Sequence, residues 1–102
     1  MLYVIQIFLP LYDNSGQKFD TSDYADVRTA LTEKFGGLTA YSRAPAEGLW
    51  ETQGTVTRDD IVIFEVMTKD LNRAWWAAYR RDLERKFRQQ AIVIRAQQYE
   101  AL

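Results

Sequence analysis

Three polar side chains stand where the surrounding pattern calls for apolar ones: Gln6 within VIQIF, Glu65 within IFEVM and Arg95 within VIRAQ. A carboxylate beside apolar groups is a candidate base or anchor, and a guanidinium clamps an anion with its planar fork. A carboxamide both donates and accepts, so it can orient either. Glu65 and Arg95 are therefore the catalytic candidates, with Gln6 as the orienting group. The same three residues would equally make a structural ion-pair network in an interface, because such networks use the same chemistry. Phe8, Tyr41, Arg43 and Trp50 complete the candidate ligand-binding set. Tyr41 can donate to an oxygen and Arg43 can hold a carboxylate or phosphate; alternatively both pack at the rim of an edge strand. Trp50 follows the corner PAEG, where it is either a wall or lid of a pocket or a plug at one end of the core.

What the chain lacks narrows the chemistry further. It has no cysteine and no histidine, which removes disulfides, thiolate nucleophiles, the commonest general base and the usual ligands of zinc, copper and iron. No metal site and no cofactor are expected. Thirteen basic residues against fourteen acidic ones leave a net charge of −1, so bulk electrostatics support neither nucleic acid nor an acidic membrane as partner. The opening MLYVIQIFLPLYD lacks a basic flank and is too short to span a bilayer. The expected location is cytoplasmic.

These side chains need elements to hold them. Residues 2–11 are β-branched and aromatic and read as a strand, with Tyr3, Ile5, Ile7, Leu9 and Leu11 on one face and Val4, Gln6, Phe8 and Pro10 on the other. Asp13-Asn14-Ser15-Gly16 is turn chemistry. A helix follows, capped by Asp20, Thr21 or Ser22, with Tyr24, Val27, Leu31 and Phe35 as its apolar stripe. Gly36-Gly37 stops it. A second strand covers 38–43, Ala44–Gly48 turns, and Leu49–Thr52 resumes extension. The third strand lies within 55–68, with Val62, Phe64 and Val66 on one side and Ile61, Ile63, Glu65 and Met67 on the other. DLNRAWWAAYRRDLERKFRQQ, 70–90, is the second helix, with Asp70 as cap and Trp76, Tyr79, Leu83 and Phe87 sharing a face. Its basic residues are interrupted by Asp82 and Glu84, as a solvated face requires. Residues 91–102 close the sheet, with Ile92, Ile94 and Ala96 opposite Val93, Arg95, Gln97 and Tyr99.

The order βαββαβ over residues 1–102 implies a single ferredoxin-like domain of the α+β class. Its four-stranded antiparallel sheet carries both helices on one face, with strands 1 and 3 in the middle. Alternation then leaves Val4, Phe8, Ile61, Ile63, Met67 and Val93 on the uncovered face, an apolar patch that a monomer exposes. Gln6, Thr39, Tyr41, Arg43, Glu65 and Arg95 share that face.

A ferredoxin-like chain of this length with a half-apolar open sheet resembles the dimeric α+β barrel superfamily. In that superfamily two sheets face one another around a small cavity. Its members include cofactor-free monooxygenases, muconolactone isomerase-like proteins and haem-binding chlorite dismutase-like proteins. The axial histidine of the haem-binding branch has no counterpart here. The run GGLTAY…P.EGLW looks like that of small uncharacterised bacterial members. The resemblance implies a homodimer binding a small organic ligand, with monooxygenase- or isomerase-like chemistry as its enzymatic form. The alternative is a non-enzymatic interaction or regulatory module using the open sheet as a protein–protein surface. RNA binding through that sheet is disfavoured, because Ile61, Ile63, Glu65 and Met67 replace the stacking aromatics it would need.

Overall fold

The computed structural model of the chain describes residues 1–42, 51–52, 55–56 and 61–102. Its elements run β1 (Leu2–Pro10), α1 (Thr21–Phe35), β2 (Thr39–Ser42), β3 (Glu51–Thr52), β4 (Thr55–Val56), β5 (Ile61–Thr68), α2 (Arg73–Lys86) and β6 (Ile94–Tyr99). The main sheet has the order β2-β5-β1-β6 and is antiparallel throughout, while β3 and β4 form a separate two-stranded ribbon. This is the ferredoxin-like arrangement expected from the pattern, with the first and third long strands in the centre.

Alternation explains why the sheet has a closed side. Ile5 pairs with Val66, Ile7 with Phe64 and Leu9 with Val62, so one face of the two central strands is aliphatic and aromatic without a break. Helices α1 and α2 lay Val27, Leu31, Trp76 and Leu83 against it, joined by Phe87 just past the end of α2. Phe64, Phe87, Ile7, Leu9 and Leu31 have no solvent exposure at all, and each such side chain contributes about 1.5–3 kcal/mol by leaving water.

The helix ends show how this packing is aimed. Asp20 is the N-cap of α1 in extended conformation. Phe19 before it and Tyr24 after it occupy the two positions of a hydrophobic staple, and both rings meet Phe87, at 5.1 and 5.5 Å between centroids. Gly36 ends α1 in the left-handed region at φ 79°, its N–H donating to the carbonyl of Thr32.

The second helix is shorter than the 70–90 expected, and its cap differs. Asn72, rather than Asp70, accepts the N–H of Trp75 at 3.0 Å. Capping from Asn72 puts Leu71 and Trp76 at the staple positions, and both join the core. At the other end Arg88 adopts φ 51°. The N–H of Arg88 bonds the carbonyl of Arg85, and that of Gln89 bonds the carbonyl of Glu84. These two bonds are the Schellman pattern, with arginine where glycine is usual. The helix therefore closes before Phe87, which turns into the core.

The basic residues at the C-terminal end of α2 are paired. Lys86 reaches Asp26 at 3.1 Å and Asp23 at 3.9 Å, Arg88 reaches Asp13 at 3.4 Å, and Arg85 pairs with Asp82. Most of these partners lie on α1 and on the turn before it, so the charges tie the two helices together at the surface. A hydrogen bond from the Ser15 hydroxyl, then one from the backbone of Gln17, holds the Asp13 carboxyl below its ordinary range. Among the described residues no helix is long and apolar enough to cross a membrane.

Candidate functional site

The side of the sheet away from the helices carries the polar residues singled out above, and strand register decides which of them meet. Gln6 on β1 stands directly opposite Glu65 on β5 and, on its other side, opposite Arg95 on β6. Strands lie about 4.8 Å apart, so three side chains from three strands form one row. Gln6 fills the middle of it in both of its capacities. Its Nε2 donates to Glu65 Oε1 at 2.9 Å, and its Oε1 accepts from Arg95 Nε at 2.8 Å. The flanking charges set the orientation of the amide: the carboxylate requires a donor and the guanidinium requires an acceptor.

The row extends beyond these three. Tyr41 on β2 faces Ile63 in register, yet its hydroxyl reaches diagonally to Glu65 Oε2 at 3.3 Å. Cross-strand diagonals are within reach of an aromatic side chain. The result is a continuous hydrogen-bonded line, Arg95 to Gln6 to Glu65 and back from Tyr41, spanning all four strands. At its cationic end the Arg95 guanidinium also lies over the Phe8 ring, 4.9 Å from the centroid, a contact that both groups favour.

Apolar residues border this line. Val4, Phe8 and Ile61 are half-buried, while Met67 and Val93 are 58% and 59% exposed. Ile63 departs from the expectation that the whole patch is exposed: it is buried, at 8%. Its position explains this, because it sits on a central strand between Phe8 on one side and Tyr41 on the other. Two large rings shield it without any helix.

Of the candidate residues, the structure thus brings Gln6, Phe8, Tyr41, Glu65 and Arg95 together on one surface. Arg43 and Trp50, and the corner at 44–48, lie outside the described residues. Two couplings went unread in the sequence. The bond between Tyr41 and Glu65 depends on the register of β2 against β5, which residue types alone do not specify. The stacking of Arg95 on Phe8 has a signal in hindsight, since Phe8 and Arg95 occupy the same face of neighbouring strands.

Chemically, the surface offers a fixed carboxylate with two donors on it, a fixed guanidinium and an apolar floor. That set can hold a small molecule with a polar end and an apolar body, and Glu65 is placed to accept a proton from it.

No protein-family profile matches the chain, and no curated protein matches it in sequence. Among solved structures it is similar to a phage SAM lyase in complex with S-methyl-5'-thioadenosine. The TM-score is 0.58 at 14% identity, over 94% of this chain and 80% of that one. At this identity the likeness shows a shared fold.

Proposed function

We propose that the chain pairs with a second copy through its open sheet face, and that the facing sheets enclose a cavity for a small organic ligand. Gln6, Glu65, Tyr41 and Arg95 contact the ligand's polar groups, and Phe8, Ile61 and Val4 support its apolar part. The observation that carries this reading is the hydrogen-bonded line across four strands, set within a face whose two central strands are otherwise apolar and which no helix covers. Met67 and Val93 at the margins supply the apolar area that a second copy would bury. A stable pairing needs on the order of 800 Å² from each partner. In the enzymatic form of this reading, Glu65 moves a proton without a cofactor, as in monooxygenase- or isomerase-like chemistry. A protein of the same fold, the phage SAM lyase, is solved with S-methyl-5'-thioadenosine, which makes that molecule a sensible first probe.

Two measurements test the proposal together. Light scattering over a range of concentrations should give a mass near twice 11.9 kDa. Titration of S-methyl-5'-thioadenosine, followed by a wider set of small aromatic compounds, should shift amide and side-chain resonances of Gln6, Phe8 and Glu65. A monomer at every concentration removes the enclosed cavity. A dimer whose face stays silent to every compound favours the second reading, an interaction module whose exposed Met67 and Val93 serve only protein contact.

A further inference from the structure

Arg95 is held twice, and neither contact uses the working end of the group. Its Nε donates to Gln6 Oε1, and the plane of the guanidinium lies over Phe8. Among the described residues its two terminal nitrogens donate no hydrogen bond, and no carboxylate forms an ion pair with it. The acidic group of the same row, Glu65, is kept from it by Gln6, whose amide stands between the two charges, on strands about 10 Å apart. Arginine fixed through Nε presents its remaining N–H groups as a fork, which matches an oxyanion with two oxygens in one plane.

The charge around this fork limits what it can take. Among the described residues of the row Arg95 is the one cation, and one guanidinium compensates one negative charge. A phosphate dianion would be left with a surplus, and Glu65 on the same row would add to the repulsion. The floor beside the fork is Phe8 and Val93, with Val4 and Ile61 beyond. Resting on the proposed ligand-binding role of this face, we infer that its ligand is an organic monocarboxylate. The carboxylate sits on the terminal nitrogens of Arg95 and the apolar body lies along Phe8 toward Glu65 and Tyr41. Arg95 is then the group that selects acids over their neutral analogues, and Gln6 is the positioning residue that holds it in place.

Phenylacetate and phenylacetamide share size and shape and differ in charge at neutral pH, so they isolate this selection. Each is titrated into the full chain, with the Arg95 Nε–Hε resonance and the Phe8 ring as readouts. The acid should bind about tenfold more tightly than the amide and should move the Arg95 resonance. Arg95→Met keeps an unbranched apolar stem over Phe8. It should abolish the preference while leaving circular dichroism and molar mass unchanged. Equal binding of the two probes, or a preference that survives in Arg95→Met, overturns the inference and leaves ligand binding by the face standing. Dissociation of the dimer in Arg95→Met, with the preference unchanged, also overturns it, because the fork then serves an ion pair between copies. If neither these probes nor S-methyl-5'-thioadenosine perturbs the face, the inference and the ligand-binding role fall together.

Discussion

The two faces of the sheet are made by the same strands, in the same alternation, and they are built to opposite rules. On the helix side Ile5, Ile7, Leu9, Phe64 and Val66 form an unbroken apolar layer with almost no exposure. On the other side every second residue of the central strands faces outward too, but Gln6 and Glu65 interrupt the apolar run and bond to each other. A polar row inside an apolar surface adds little net stability, since each hydrogen bond replaces one to water. It does constrain direction, because the donors and acceptors must alternate for the row to be satisfied. The helix side is organised to exclude water, and the open side is organised to present groups at fixed positions.

Large-to-small substitutions should separate the two faces most strongly. Phe64→Ala should cost about 3–5 kcal/mol in denaturant unfolding. Phe8→Ala, half-buried and on the other face, should cost less than half of that. Equal costs would mean that the open face is a second core, and the distinction would collapse.

The next effect belongs to the helix side. Asn72→Ala should lose about 1 kcal/mol through the cap on Trp75, whereas Asp70→Ala should be nearly silent. On the open face Glu65→Gln keeps the size of the side chain and should change stability by no more than about 1 kcal/mol, yet it should change the pattern of ligand shifts. A large stability loss with no functional change would recast Glu65 as structural.

A pH titration sharpens the contrast from the closed side. Burial, and secondarily Asp82, push the Tyr79 hydroxyl up to about 12 from an ordinary 10.0. Because the folded value is raised, its contribution to stability is complete below about pH 10 and is lost as pH rises through about 12. Comparing alkaline unfolding of the native chain with Tyr79→Phe should show a shallower decline in the variant. The smallest effect is expected at Arg88→Gly. Relief of the left-handed backbone at Arg88, about 1 kcal/mol, nearly cancels the loss of its exposed pairing with Asp13.

How far the residues themselves disclose this contrast depends on the kind of feature. Strand order, the closed face and the row of Gln6, Glu65 and Arg95 follow from period-2 alternation and from the need of two helical stripes for one sheet face. The helix cap did not follow, because Asp70 and Asn72 are both good caps and only the packing of Leu71 and Trp76 chooses between them. The burial of Ile63 and the bond from Tyr41 to Glu65 depend on a register between β2 and β5. A four-residue strand contains too few positions to announce that register. Arg43 and Trp50 looked as suggestive as Tyr41, and types alone gave no reason to rank them.

The position of β1 has a consequence in time. It lies at the centre of the sheet, yet one of its two neighbours is β6, and the bond from Arg95 to Gln6 joins residues 89 apart in the chain. During synthesis the apolar strand containing Ile5 and Ile7 precedes β6 by the two helices and the rest of the sheet, and it stays incompletely paired until β6 has followed. Such distant closures slow folding. They also lengthen the interval in which an unpaired strand edge can meet another chain. The row on the open face is therefore complete only once β6 has docked beside β1, and its completion reports that the four-stranded sheet has closed.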